Sequence, residues 1–259
     1  MTDRNTTTLQ DRIRGVAVGA AIGDALGMPL EFQRATPSDQ LVRELLPGRL
    51  PAGSFTDDTE MALAVAESLL ARKPLNPEDL AHRFVGWYRQ GPPDVGLYTS
   101  SVLSRIAAGV VWDQASNEAQ QRRPESAGNG SLMRNWPVAL AHWKSPVECL
   151  ADSVLQSRVT HAHSECTAAC AFESAMILSL LKGETPADAL IQARQQVALP
   201  PGLAAFVDEA PQRQRDELRN SGWVRHTLES AVWALLTTSN FEEAAIQAAK
   251  KTRPQGPPN

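Results

Sequence analysis

The amino-acid sequence predicts an all-α protein that folds as one compact multi-helix bundle. Apolar residues recur at helical spacing along almost the whole chain. We find no segment of period-2 alternation bounded by turn residues, which is the pattern of a half-buried strand. Residues typical of helix boundaries flank several of the helical runs. These three observations together favour helices packed on helices.

The first half of the chain predicts helices through its apolar faces, because residues three or four apart lie on the same side of a helix. One face begins at Leu9, the next is centred on Phe84, and a third surrounds Leu103. The residues that mark these faces are Leu9, Ile13, Val16, Ala17 and Ala20; Leu80, Phe84, Trp87 and Tyr88; and Val102, Leu103 and Ile106.

The second half predicts helices through their ends. Pro146 and Pro186 each occupy the first position of a helical run, where proline loses no hydrogen bond. Gly183 follows the long run from His163 to Lys182, as expected of a glycine that terminates a helix. Two later helices are predicted, and they span about Trp223–Thr237 and Phe241–Lys250.

Length and composition indicate one domain over residues 9–250, with disordered tails at 1–8 and 251–259. The chain has 259 residues, of which 42% are hydrophobic and 21% charged, as in an ordinary globular domain. A net charge of −4 argues against sequence-independent nucleic-acid binding. We expect no membrane span and a cytoplasmic protein, whose three cysteines stay reduced.

The segment Thr56-Asp57-Asp58-Thr59-Glu60 concentrates oxygen ligands just before a helical run. A hydroxyl and two carboxylates suit Mg²⁺ or Mn²⁺ better than zinc or copper. Adjacent residues entering a helix point in different directions, so Asp57 and Asp58 are better placed to serve two ions than one. The alternative is a capping box from Asp57 to Glu60, and the segment alone favours it.

Four other segments accompany this one along the chain, and each combines glycine, proline or polar residues in a short stretch. They are Gly23–Phe32, Gly91–Gly96, Gly128–Arg134 and Thr160–His163. In order, spacing and residue type, the five segments resemble the ADP-ribosylglycohydrolase family, over about Arg12 to Ala249.

The resemblance implies a hydrolase that cleaves the N-glycosidic bond between ADP-ribose and a protein side chain, most often arginine, with two Mg²⁺ or Mn²⁺ ions. Its partner would be ADP-ribose or an ADP-ribosylated protein; the oligomeric state stays open. The implied site residues are Thr56, Asp57 and Asp58 for metal; Glu31 and Asp94 for catalysis; and Gly128, Asn129, Gly130, Ser131, Met133 and His161 for substrate.

Several of these residues also have simpler interpretations. Backbone N–H groups of Gly128–Ser131 could face a diphosphate, although such a turn often only needs positive φ. Asp24 is expected to be structural, with hydrogen bonds in the glycine-rich bend. Zinc is an alternative suggested by the short stretch that contains His161, His163, Cys166 and Cys170. The spacing of the two cysteines does not fit the zinc deaminase pattern, so Cys166 and Cys170 are expected to be buried thiols. The tryptophans are expected in the core, and none is singled out for adenine.

The sequence departs from the family in one respect. Members carry a second acidic cluster, Asp-x-Asp-Thr, near the C-terminus, whereas this sequence has no Asp or Glu after Glu243. Three ligands from one segment would leave most of the coordination of two ions to water. Two hypotheses therefore stay open: a metal-dependent ADP-ribosyl hydrolase, and an ADP-ribose-binding module with weak or no activity. A helical interaction scaffold is a third.

Overall fold

The computed structural model describes residues 7–31 and 40–249, and this part of the chain contains twelve α-helices and no β-strand. The all-α prediction is confirmed. The helices are α1 Leu9–Gly27, α2 Asp57–Ala71, α3 Pro77–Arg89, α4 Leu97–Ala107, α5 Trp112–Arg122, α6 Trp136–Ala141, α7 Pro146–Arg158, α8 Ser164–Lys182, α9 Pro186–Gln196, α10 Pro201–Glu209, α11 Val224–Thr237 and α12 Phe241–Ala248.

Helix α8 is the central element, since it packs against α6, α7, α9 and α11. Its side chains enter two apolar clusters. Phe172 belongs to the cluster that α8 forms with α9, α10 and α11, whereas Leu178 belongs to the cluster formed with α2, α3, α6 and α7. Phe172 and Phe84 are fully buried in these two clusters. One helix therefore supports both halves of the molecule, including the elements that carry the predicted site.

The predicted helix ends agree with the structure to within a few residues. Pro146 and Pro186 are the first residues of α7 and α9. Gly183 ends α8 with φ of 91°, the left-handed conformation that favours glycine. His163 is the N-cap of α8, and its Nδ1 accepts a hydrogen bond from the Glu165 amide at 3.1 Å. Trp223 is likewise the N-cap of α11.

The predicted N-terminal tail is wrong at Thr8. Its hydroxyl accepts a hydrogen bond from the Asp11 amide at 3.2 Å, and the Asp11 carboxylate accepts one from the Thr8 amide at 3.2 Å, so α1 begins with a complete capping box. The polar side chain that suggested a frayed end instead forms hydrogen bonds with the first turn of α1. Residues 1–6 and 250–259, the remainder of the predicted tails, lie outside the described residues.

Two helical stretches in the described part of the chain are long and apolar enough to cross a membrane, which the sequence analysis did not anticipate. They are Leu9–Leu30 and Ser164–Lys182, whose windows are 28% and 67% buried inside the protein. Core helices satisfy the same test, and the second stretch is the central helix α8. Length and composition are therefore weak evidence for a span.

Replacing Gly183 with alanine is expected to destabilise the protein by about 1–2 kcal/mol, because a left-handed backbone is costly once a Cβ is present. Gly91→Ala, with φ of 69° and no atom within 4 Å of the added Cβ, should cost a similar amount through backbone strain alone. Gly86→Ala, inside α3 with the same open space, should be neutral or stabilising by up to about 1 kcal/mol. Urea unfolding measures all three; equal effects at Gly183 and Gly86 would contradict the argument.

Candidate active site

The site is built around the first turn of α2, which a carboxylate from α1 holds in place. Asp24 accepts four hydrogen bonds: from the Thr56 amide at 2.9 Å, the Thr56 hydroxyl at 2.7 Å, the Thr59 amide at 3.1 Å and the Thr59 hydroxyl at 2.7 Å. Asp24 thus satisfies helix donors that a local cap would otherwise bind. Its structural role was expected, but its partners lie on α2 and not in its own bend.

The capping-box alternative for Asp57 is wrong. Asp57 and Asp58 are the first two residues of α2, and the N-cap is Thr56, whose side chain makes no capping bond. Glu60 accepts a hydrogen bond from the Trp87 indole at 2.6 Å, so it does not reach back to the helix start. Neither adjacent aspartate is therefore needed to cap α2.

The two aspartates lie in a strongly acidic environment. Burial, together with the nearby carboxylates of Asp94, Glu31 and Asp24, raises the pKa of Asp57 to about 7. Burial likewise raises the pKa of Asp58 well above its ordinary value, with Asp57 as the largest charge contribution. Like charges held together in low dielectric disfavour ionisation, so this cluster has a high affinity for positive charge.

Arg49 supplies positive charge to this cluster. Its guanidinium forms ion pairs with both Glu31 and Asp94, and so joins the two residues that the sequence analysis assigned to catalysis. Glu31 follows a short 3-10 turn, Met28–Leu30, and burial raises its pKa while Arg49 opposes that rise. Sequence reasoning missed Arg49, because it lies in an irregular segment between α1 and α2 that carries no motif.

The oxygen atoms at the start of α2 are of the type that binds a hard divalent cation. Thr56 donates its hydroxyl hydrogen to Asp24, which leaves lone pairs on the oxygen, and the raised pKa values of Asp57 and Asp58 mark carboxylates short of counter-charge. Over residues 7–31 and 40–249, however, no three His, Cys, Asp or Glu side chains form a group that could hold a metal ion.

The glycine-rich segment Gly128–Ser131 forms a single 3-10 turn over Asn129–Ser131. The Asn129 amide donates to the Gly222 carbonyl at 2.9 Å, and its side chain donates to the Thr227 hydroxyl at 3.0 Å, so this residue joins the turn to the start of α11. Ser131 is fully buried, and its hydroxyl accepts a hydrogen bond from Ser157 at 2.8 Å. Its side chain therefore faces the core in this structure.

Gly130 lies directly against the His161 ring. A Cβ on Gly130 would be 2.8 Å from Cε1 and 3.0 Å from Nε2 of His161, and 3.2 Å from the Thr99 hydroxyl, so only glycine fits here. On its other side, His161 contacts the Tyr98 ring, with centroids 5.0 Å apart. Burial, together with the charge of Arg134, lowers the pKa of His161 to about 3. The imidazole is therefore neutral at physiological pH.

The acidic cluster and the glycine-rich turn lie on neighbouring elements. Asp94 lies in the loop before α4, and Thr99 in the first turns of α4 approaches Gly130. Arg134, just after the glycine-rich turn, directs Nη1 at the sulfur of Met61 on α2, 3.6 Å away. Met133 is partly buried and packs against the apolar cluster of α2 and α3, so its side chain also contributes to the core.

Trp223 is an aromatic residue of this region that sequence reasoning did not single out. It pairs with Gly128 in an isolated backbone bridge, and the ring is 37% exposed. The Arg225 guanidinium carbon lies 4.5 Å from the ring centroid. The helical spacing around Trp223 predicted a position in the core. Spacing alone cannot show that Trp223 is the N-cap of α11 and lies beside a turn that is distant in the sequence.

The His and Cys residues that suggested zinc have other partners. Cys166 donates to the Gly128 carbonyl at 3.3 Å, and Cys170 donates to the Ser131 hydroxyl at 3.6 Å. Both thiols are buried, and burial raises the pKa of Cys170 to about 12 and that of Cys166 further. Through these two hydrogen bonds, the cysteines of α8 help to hold the glycine-rich turn in place.

Residues 5–253 match the ADP-ribosylglycohydrolase family, and the chain belongs to it. It is 35% identical over 252 residues to the ADP-ribosylarginine hydrolase Tri1 of Serratia proteamaculans, covering 92% of this chain and 66% of that protein. It is 34% identical to the ADP-ribosyl-[dinitrogen reductase] glycohydrolase of Rhodospirillum rubrum, covering 94% and 80%. The chain thus spans just under two thirds of the length of the Tri1 hydrolase.

A solved structure described as an ADP-ribosylglycohydrolase-related protein complex superimposes with a TM-score of 0.77 at 32% identity. The match covers 95% of this chain and 82% of that one. The helical architecture is therefore that of the family. The relatives are named as hydrolases, in agreement with the class that the five sequence segments suggested.

In metal-free buffer, the stability of the protein is expected to fall as the pH rises from about 4 to about 7. Asp57 has a folded-state pKa near 7 against an ordinary value of 3.8, so the folded state binds the proton more tightly than the unfolded chain. Its contribution is complete below pH 4 and is lost as the pH passes 7. Urea unfolding at several pH values measures this, and Asp57→Asn should flatten the dependence. Asp113→Asn, at an exposed position, is the control; an unchanged slope in Asp57→Asn would contradict the assignment.

Proposed function

We propose that the protein hydrolyses the N-glycosidic bond between ADP-ribose and an arginine side chain, with the reaction centre beside Asp57, Asp58, Glu31 and Asp94. The observation that carries the choice of arginine is the position of Arg49. Glu31 and Asp94 together bind its guanidinium in the native protein. Paired carboxylates match a planar guanidinium well. A substrate arginine carries the same group.

In this proposal Asp94 binds the guanidinium of the substrate, and Glu31 acts as the general base. Burial raises the pKa of Glu31 toward the range in which a carboxylate accepts a proton effectively. Water attacks C1 of the ribose as the bond from C1 to the guanidino nitrogen breaks. Glu31 takes the proton that water loses and returns it to the departing guanidino nitrogen, so the carboxylate is regenerated. The products are arginine and ADP-ribose with a hydroxyl at C1.

The remainder of ADP-ribose would lie over the glycine-rich turn. Gly128 and Gly130 let the turn pack directly against His161, whose neutral ring avoids a charge in a buried position. Trp223 is an exposed aromatic surface next to this turn and is suited to stacking on adenine. The diphosphate would then lie between His161 and the acidic cluster.

Thr56, Asp57 and Asp58 are the residues that would hold Mg²⁺ or Mn²⁺. When bound, the ions would supply positive charge beside the ribose, where the breaking bond develops oxocarbenium character. The protein's own contribution is to keep three oxygen donors at the helix start, through the bonds of Asp24 to Thr56 and Thr59. The cytoplasm, where disulfides are rare, is the proposed location.

A second candidate is an ADP-ribose-binding module with little or no turnover. The observation that favours it is the lack of a group of three or more His, Cys, Asp or Glu metal ligands in the described ranges. Contacts to adenine and diphosphate serve the ground state and the transition state alike, whereas charge at the ribose serves mainly the transition state. Binding could therefore persist where metal-dependent turnover is weak.

Release of ADP-ribose from an ADP-ribosylated arginine peptide, with added Mg²⁺ or Mn²⁺, decides between these two functions. The hydrolase proposal expects turnover that rises with metal, and a metal-dependent increase in melting temperature. Both should be lost in Asp57→Asn/Asp58→Asn, since amides are weaker ligands for hard cations. Asp113→Asn/Glu118→Gln on the surface of α5 is the matched control. ADP-ribose binding without turnover would leave only the binding module.

Arg49→Gln is expected to lower KM for the arginine-linked substrate several-fold, because it removes an internal guanidinium that competes for Glu31 and Asp94. Arg43→Gln changes the same irregular segment, but Arg43 pairs with Glu243 at 3.6 Å and should leave KM unchanged. Steady-state kinetics on the peptide substrate measure both variants. A higher KM in Arg49→Gln would show that Arg49 assists substrate binding instead of competing with it.

A further inference from the structure

Arg134 is a fully buried cation at the centre of the structure. Its guanidinium carbon lies 4.1 Å from the centroid of the Phe84 ring. Its Nη2 donates to the Thr160 hydroxyl at 2.8 Å and to the Gln156 carbonyl at 3.2 Å, while its Nε donates to the Gln156 side chain at 3.2 Å. A buried charge with this many partners holds those partners in fixed positions.

The Thr160 hydroxyl connects Arg134 to His161. Thr160 is fully buried, and its oxygen lies 2.8 Å from Nδ1 of His161. A guanidinium can only donate, so the Thr160 oxygen must accept from Arg134. The hydroxyl has one hydrogen of its own, and Nδ1 is the acceptor that the described contacts provide for it. When Thr160 donates to Nδ1, both the hydroxyl hydrogen and this ring nitrogen therefore have a hydrogen-bond partner.

This arrangement determines the chemistry of the other ring nitrogen. When Nδ1 accepts a hydrogen bond, a neutral imidazole carries its hydrogen on Nε2. Nε2 lies at the glycine-rich turn, 3.6 Å from a Cβ built on Gly128 and 3.0 Å from one built on Gly130. A ligand atom that approaches Nε2 at this turn would meet an N–H donor, and not a lone pair.

We infer that Arg134 and Thr160 are positioning residues that hold His161 in its Nε2–H form, and so make the glycine-rich turn selective for a ligand atom that accepts hydrogen bonds. Arg134 acts through Thr160, and Thr160 acts on His161. An oxygen of ADP-ribose meets this requirement, and an amino group at the same position does not. The identity of the ligand rests on the proposed function, whereas the state of the ring does not.

The test compares Thr160→Val, which has a similar shape but no hydroxyl, with Thr160→Ser, which keeps the hydroxyl. Long-range ¹H–¹⁵N NMR of the histidine rings reports which nitrogen carries the hydrogen, and the His161 signals are assigned by their loss in His161→Gln. The wild type and Thr160→Ser should show hydrogen on Nε2 alone. Thr160→Val should gain the Nδ1–H form, because nothing then donates to Nδ1.

Calorimetry with ADP-ribose gives the second measurement. Thr160→Val should bind about tenfold more weakly, as expected on losing one oriented donor, and Thr160→Ser should stay within about threefold of the wild type. An Nδ1–H ring in the wild type, or an unchanged ring in Thr160→Val, would overturn the inference. If the wild type fails to bind ADP-ribose, the proposed function fails, but the NMR comparison still decides whether the relay exists.

Discussion

The bonds that Asp24 forms with α2 are the interaction on which the site depends. A helix start needs acceptors for its free N–H groups, and the acidic residues nearest to this start would ordinarily supply them. Here a carboxylate from α1 takes that role by binding Thr56 and Thr59. Asp57 and Asp58 are then available for a ligand, even though their ionised forms are disfavoured by burial. One carboxylate with a purely structural role thus makes a functional pair possible.

The site has two parts, one acidic and one neutral. Around α2, carboxylates accumulate negative charge, which Arg49 balances directly through Glu31 and Asp94. Around the glycine-rich turn, the nearest titratable ring, His161, is kept neutral by burial and by Arg134. In the proposed function, the acidic part suits bond cleavage with charge development, and the neutral part suits recognition. The proposed substrate, ADP-ribose linked to arginine, has a cationic end and a nucleotide end that would match these two parts.

Sequence patterns predicted many of the helices, because these have an apolar face or are bounded by a proline or glycine that has a definite local effect. Gly183 and Pro146 are examples in which a single residue fixes a boundary. The family resemblance also brought Asp57, Glu31 and Asp94 into one neighbourhood, as their mutual effects on pKa indicate. Their roles, and those of the substrate residues, remain predictions.

Local patterns could not predict contacts between residues far apart in the chain. Arg49 lies in a segment without periodicity, and its partners come from segments on both sides of it. Ser131 belongs to a polar motif, yet its side chain turns inward to meet Ser157. Trp223 belongs to a helical pattern, yet it caps the helix beside Gly128. In each case the tertiary packing decides where the side chain goes.

The buried cysteines have a practical consequence for handling the protein. Burial raises the pKa of Cys149 and Cys170 to about 12, and that of Cys166 further, so almost no thiolate exists near neutral pH. Because the thiolate is the species that reacts with peroxides and alkylating reagents, the folded chain should resist both without added reductant. Labelling by such reagents would then report unfolding rather than surface chemistry.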